Sequence, residues 1–187
     1  HCGDIAHSKT NISPEFVELC GEFLRNLADI APTLVIAGNH DGNLKNDTRQ
    51  DAITPVVGAL NHPNLHFYKK SAVHVTNGFA FYVLSEYDKA GWVTPDNDET
   101  INVAVYHGSI AGSKTDTEWT MKHGEVAVAK FSAFDFAMLG DIHKQQKLDD
   151  EGRAWYAGST IQQNFGEEQD KGYLLWDIKS KHDWTVT

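Results

Sequence analysis

Four short clusters combine glycine with side chains able to ligate metal: Gly3-Asp4, Gly38-Asn39-His40-Asp41, His107-Gly108 and Gly140-Asp141-Ile142-His143. Aspartate, asparagine and histidine together suit divalent ions of intermediate hardness such as Mn²⁺, Fe²⁺ or Zn²⁺. Of the two cysteines, only Cys2 lies beside a cluster, so a thiolate zinc site is not expected. Two divalent ions about 3.5–4 Å apart clamp a phosphoryl group and activate water for in-line attack. That chemistry needs a carboxylate to bridge the ions and neutral ligands that leave them electrophilic. A non-ligand acid near the leaving oxygen helps further. Taken singly, each cluster also reads as an ordinary turn or strand end.

The elements that must position these residues share one pattern. The apolar run 33–37 leads into Gly38, 101–106 into His107, and 136–139 into Gly140. The chain opens on Gly3-Asp4 as if on the end of a fourth strand. In open α/β sheets ligands bind beyond the carboxyl ends of the strands, so four such loops would converge on one site. Ser13-Pro14 predicts a helix start, with Ser13 as N-cap and Glu15 near the positive end of the dipole. Apolar residues from Phe16 to Ile30 recur at helical spacing until Pro32. A second helix is expected between Asp51 and Leu60, although Pro55 speaks against it. Further strands are expected over 65–68, 72–75, 79–84, 154–156 and 173–178, and residues 183–187 also look like a strand. Asn77-Gly78 marks a tight hairpin. Asp149-Asp150-Glu151-Gly152 reads as another turn, and 88–100 as a surface loop.

The chain has 187 residues, 41% hydrophobic and 22% charged, which fits one domain over 1–187. No apolar run approaches the roughly 20 residues of a membrane helix, so no membrane partner is expected. Two cysteines suit a reducing, cytoplasmic setting. The net charge of −10 offers no general attraction to nucleic acid, because nonspecific binding rests on Lys and Arg displacing counterions. Composition alone would favour a small-molecule enzyme.

The four clusters resemble, in order, the motifs of the calcineurin-like metallophosphoesterases. Gly3-Asp4-Ile5-Ala6-His7-Ser8-Lys9 looks like the corresponding segment of the SbcD-type DNA repair nucleases. So do Tyr156-Ala157-Gly158-Ser159, Phe165-Gly166-Glu167 and Lys171-Gly172-Tyr173 after the last cluster. The resemblance implies an α/β fold of two packed mixed β-sheets flanked by helices, a four-layer sandwich lacking its first strand. It implies metal ligands at Asp4, Asn39, His107, Asp141 and His143, with Asp4 bridging two ions. His40 would be catalytic, orienting the phosphate or protonating the leaving oxygen. His7 and Lys144 flank the motifs as candidate phosphate contacts. The implied activity is DNA hydrolysis with two divalent ions, Mn²⁺ first and Mg²⁺, Fe²⁺ or Zn²⁺ as alternatives. The implied partners are DNA and an SbcC-like ATPase, with a homodimer also compatible. A phosphatase or small phosphodiesterase of the same superfamily, or a degenerate binding subunit, are the rival expectations.

Two departures from the pattern stand out. Asp141 occupies the place where the family usually has histidine, which favours harder ions and makes the bound metal less acidic. The family's opening Asp-x-His motif is missing upstream of His1, so the second ion would keep only Asp4 and His143 from this chain. The expected reason is that the sequence is an excerpt of a longer protein, truncated at both ends.

Trp92, Trp119 and Trp155 could stack on bases, but packing is the expectation for all three.

Overall fold

A computed structural model of the chain describes residues 1–9, 11–96 and 98–187. Asn97, within the expected loop over 88–100, lies outside the described residues. Helix α1 (Pro14–Ile30) begins as expected: the Phe16 amide donates to Ser13 Oγ at 3.2 Å, and Pro14 occupies the first turn. Its buried residues Cys20, Gly21, Leu24 and Ala28 fall on one face. Strand β1 (Thr33–Ile36) follows, then α2 (Thr54–Leu60) and β2 (Leu65–Tyr68), which pairs parallel to β1. The short α2 owes its start to Asp51, whose Oδ1 accepts the amides of Ile53 and Thr54 at 2.9 and 2.7 Å. Pro55 sits in its first turn, where its missing N–H leaves nothing unpaired.

The second sheet has six strands in the order β3-β4-β5-β6-β8-β7. They are β3 (Ala72–Thr76), β4 (Phe79–Leu84), β5 (Ile101–His107), β6 (Phe136–Gly140), β7 (Gln146–Lys147) and β8 (Ala154–Tyr156). β4, β5, β6 and β8 are parallel, while β3 and β7 pair antiparallel at the two edges. Asn77 and Gly78, both at positive φ, make the tight β3–β4 turn. A β9 (Trp176–Ser180) and β10 (Asp183–Val186) hairpin forms a separate two-stranded sheet.

Side-chain alternation explains how three cores arise from these runs. In β1, Val35 faces α1 and α2, while Leu34 and Ile36 face the large sheet. In β5, Val103 and Val105 meet Ile36, while Ala104 and Tyr106 turn to the opposite core with Leu139, Phe131 and Tyr156. A strand buried on both faces reads as an unbroken apolar run, as 101–106 does.

The fold is therefore α/β with mixed sheets. Among the described residues its α-helices pack only on the β1–β2 side. The far face of the large sheet is covered instead by irregular chain around a 3₁₀ turn, Val128–Phe131. That differs from the expected helices on both flanks. The strand expected over 173–178 starts at Trp176; Leu175, exposed like Tyr173, still exchanges backbone bonds with Thr187 at 2.7 and 3.0 Å and closes the hairpin ladder. A 3₁₀ turn, Lys89–Gly91, interrupts the expected surface loop. Trp92 and Trp155 pack with their indole N–H groups bonded to Ser85 O and Gly152 O. Trp119 stays 57% exposed, against the expected packing.

Candidate metal centre

Strand parity places the first candidate ligand. His107 ends β5 on the same face as Val103 and Val105, so it points toward the β1 layer. It is 3% exposed. Its Nδ1 bonds the Cys2 carbonyl at 2.6 Å. A carbonyl only accepts, so Nδ1 carries a hydrogen, and in the neutral ring Nε2 keeps its lone pair. Gly140 lies in register with His107 across the β5–β6 ladder and packs so closely on Cys2 that a side chain there would collide with its backbone.

The Gly3-Asp4 and Gly38–Asp41 loops are locked together by Asp41, which is fully buried. Asp41 Oδ1 accepts the amides of Ile5 at 2.9 Å and Ala6 at 2.7 Å. Asp41 Oδ2 accepts those of Asp4 at 2.8 Å and Gly38 at 2.7 Å. Burial pushes this carboxyl above its usual value, while the amide donors favour the charged form. In return Asp4 Oδ1 accepts the His40 amide at 2.8 Å. The approach is so tight that a side chain at Gly38 would fall on Asp4 and His107. Gly3 takes φ +91, a conformation open to glycine, and Asp4 follows at φ 57. The Tyr87 hydroxyl donates to Gly38 O at 2.9 Å and pins the same loop.

One ligand atom each from Asp4, His107 and Asp141 lies within 4.8 Å of the others, a grouping able to hold a metal ion. His107 Nε2 is 3.3 Å from Asp4 Oδ2 and 3.7 Å from Asp141 Oδ1, with hydrogen-bond geometry to neither. Asn39 Oδ1 is also buried and unpartnered. Buried polar atoms are nearly always satisfied, so orphans at a cluster of ligand-type side chains fit a cation. The charges agree. Burial pushes Asp4 up, but the His107 ring and the His40 amide outweigh it and hold Asp4 below the usual carboxylate range. Burial works against a charged His107, but Asp4 prevails and raises it. Asp141 is raised by burial first and by Asp4 also, with His107 opposing. Two carboxylates thus crowd one imidazole. Asp141 sits at φ 102, unusual for a residue with a side chain.

The other expected site residues are placed around this group. His143 is not among the three gathered ligands, although its charge and that of His40 both act on Asp141. His143 Nδ1 bonds Glu167 Oε1 at 2.8 Å. The His40 ring stacks on His7 with centroids 5.4 Å apart, and His40 Nδ1 donates to His7 O at 2.9 Å. Lys144 pairs with Glu118 in a hollow shared with Lys114 and Lys147. Beneath the site, the Tyr106 hydroxyl donates to Glu86 Oε1 at 2.8 Å. Glu125 shares this pocket; its bond to the Glu86 carboxyl and then burial push it up to about 7.

Asp41, Glu167 and Lys171 stand within the sequence motifs, but their types and spacing assign them no role. Asp41's place directly after His40 was a usable signal, because a loop that reverses this tightly needs an acceptor for its amides.

No protein-family model matches the chain. The chain is similar to an uncharacterized protein of Acanthamoeba polyphaga mimivirus, 34% identical over 191 aligned positions. That match covers 96% of this chain and 14% of the mimivirus protein.

Proposed function

We propose that this chain is the catalytic domain of a two-metal phosphodiesterase that hydrolyses DNA, the nuclease subunit of a cytoplasmic complex resembling SbcCD. An SbcC-like ATPase would be its partner. The main support is the convergence of Asp4, His107 and Asp141, with His107 Nε2 unpartnered there and Asn39 Oδ1, next to the closely packed Gly38, buried and unpartnered as well. Asp4, Asn39, His107 and Asp141 would hold one ion, and His143 with Asp4 the other. Three oxygen ligands beside one nitrogen favour Mn²⁺ over softer ions. When bound, the ions would neutralise phosphoryl charge and ease deprotonation of the attacking water.

The chain's own residues would do the rest. Asp4 is oriented by the His40 amide and keeps its second oxygen toward His107. His40 gives its Nδ1–H to His7 O, so that in the imidazolium form its Nε2–H is free to bond the leaving oxygen and hand it that proton. His7, stacked on that ring, would limit its rotation and meet the next phosphate. Lys144 would reach substrate only by giving up Glu118. Among the described residues no helix is long and apolar enough to cross a membrane.

The rival reading, a phosphatase of the same superfamily, is favoured by the net charge of −10. Hydrolysis of duplex DNA with Mn²⁺ is the expected result. Turnover of p-nitrophenyl phosphate without any cleavage of DNA would replace the nuclease by the phosphatase.

A further inference from the structure

His143 lies on the loop after β6, outside any strand, and its side chain is 46% exposed. Nothing in its own element fixes the ring. The fixing comes from 24 and 28 residues later in the chain. Glu167 Oε1 accepts from His143 Nδ1 at 2.8 Å and from Asn164 Nδ2 at 2.9 Å. Glu167 Oε2 takes the Gln163 amide at 3.0 Å and Lys171 Nζ at 3.2 Å. Lys171 Nζ also reaches Asp116 Oδ1 at 3.1 Å and the His143 carbonyl at 3.0 Å. Its three hydrogens therefore meet three acceptors. One lysine thus clamps both the backbone of His143 and the carboxylate that holds its ring. The Ser159 amide adds a second donor to that carbonyl at 3.2 Å, with Gly158 at φ +77 too close to His143 O for a side chain.

The frame is buried while the ring it holds is presented. Side-chain exposure is 4% for Glu167, 7% for Lys171 and 8% for Asp116. A buried ion set of this kind is tolerated when its charges are paired and hydrogen-bonded, and here both Glu167 oxygens and Lys171 Nζ have partners. A carboxylate has no hydrogen to give, so the neutral ring must carry its hydrogen on Nδ1 and leave Nε2 bare. Carboxylates that bond the far nitrogen of a ligating histidine fix its orientation and raise its basicity.

We propose that Glu167, braced by Lys171 and Asp116, is a positioning residue that turns His143 Nε2 toward a divalent cation. This rests on the metal-site reading above. The segment from Ser159 to Lys171 is then part of the metal centre rather than only a wrapping for it.

Two measurements on the same variants test it. Imidazole ¹H–¹⁵N spectra of the metal-free protein, taken where His143 is neutral, should show the Nδ1–H tautomer. Glu167→Ala should shift His143 toward Nε2–H. Mn²⁺ titration followed by the free-ion EPR signal should show affinity reduced about 10–100-fold in Glu167→Ala. Glu167→Gln keeps an acceptor for Nδ1–H and should recover most of that loss. Unchanged tautomer and affinity in Glu167→Ala would overturn the assignment. Equal losses in the Ala and Gln variants would overturn it too, since the carboxyl would then serve only to hold the tail. If the parent protein took up no Mn²⁺, the metal reading would fail. The tautomer comparison would still decide whether Glu167 sets the ring.

Discussion

Asp41 Oδ2 accepts the backbone amide of Asp4 at 2.8 Å across a sequence separation of 37 residues. The motif histidine and asparagine therefore sit on a loop whose last residue builds the loop opposite. Asp41 makes four such bonds and, fully buried, has no water to replace them.

Asp41→Asn tests this directly. The amide would set its NH₂ against two of the four backbone donors, and each buried donor left unpaired costs about 1–3 kcal/mol. A loss on the order of 3 kcal/mol in urea unfolding is expected, with Mn²⁺ uptake lost as Asp4 moves. A midpoint equal to the parent's would mean the amides find other partners.

Asp141→Asn should separate fold from metal binding. Without metal, Asp141 is a half-buried carboxyl close to Asp4, so removing its charge should leave the melting temperature equal or higher. Asparagine also tolerates positive φ as well as aspartate does. With Mn²⁺ at about 100 times Kd the parent should gain about 2.7 kcal/mol. The variant should gain clearly less, and an equal gain would remove Asp141 from the ligand set.

His40→Ala should spare metal affinity and slow turnover of duplex DNA by about 10²–10⁴-fold, the usual range for a general acid. The side chain bonds only the His7 carbonyl among the described contacts, while the bond to Asp4 comes from the His40 backbone. Loss of Mn²⁺ binding in this variant would make His40 a ligand.

The Glu86–Glu125 pair predicts a pH effect opposite in sign to that of most carboxylates. Glu125 is raised from 4.5 to about 7 by its bond to Glu86 and by burial. The folded state therefore holds a proton there that the unfolded chain releases near pH 4.5. The stability it contributes is complete below that value and is lost as pH rises through about 7. Urea midpoints measured from pH 4.5 to 8 should decline more in the parent than in Glu125→Gln. Parallel curves would show that no proton is shared.

Much of the fold is legible from local pattern. The Ser13-Pro14 start, the β4 run and the Asn77-Gly78 turn fall where the spacing predicts. Each rests on interactions within a few residues: a cap, an alternation, a positive φ. The later start of β9 and the covering of the large sheet's far face by irregular chain rather than helix depend instead on which partners are within reach. No local spacing encodes that.

The candidate site divides the same way. Residue types, and the strand-end position of Asn39, His107, Asp141 and His143, were readable in the sequence alone, because ligand chemistry belongs to the side chain; the strand expected before Asp4 did not form. Tertiary structure decided that Asp4, His107 and Asp141 meet while His143 stands apart under Glu167. It also decided that Asp41 serves as scaffold. Those outcomes depend on strand parity, on the parallel register that puts Gly140 beside His107, and on hydrogen bonds spanning 24 to 37 residues. Such contacts exist only once the two sheets have packed, because packing removes the water that would otherwise satisfy each of these groups separately.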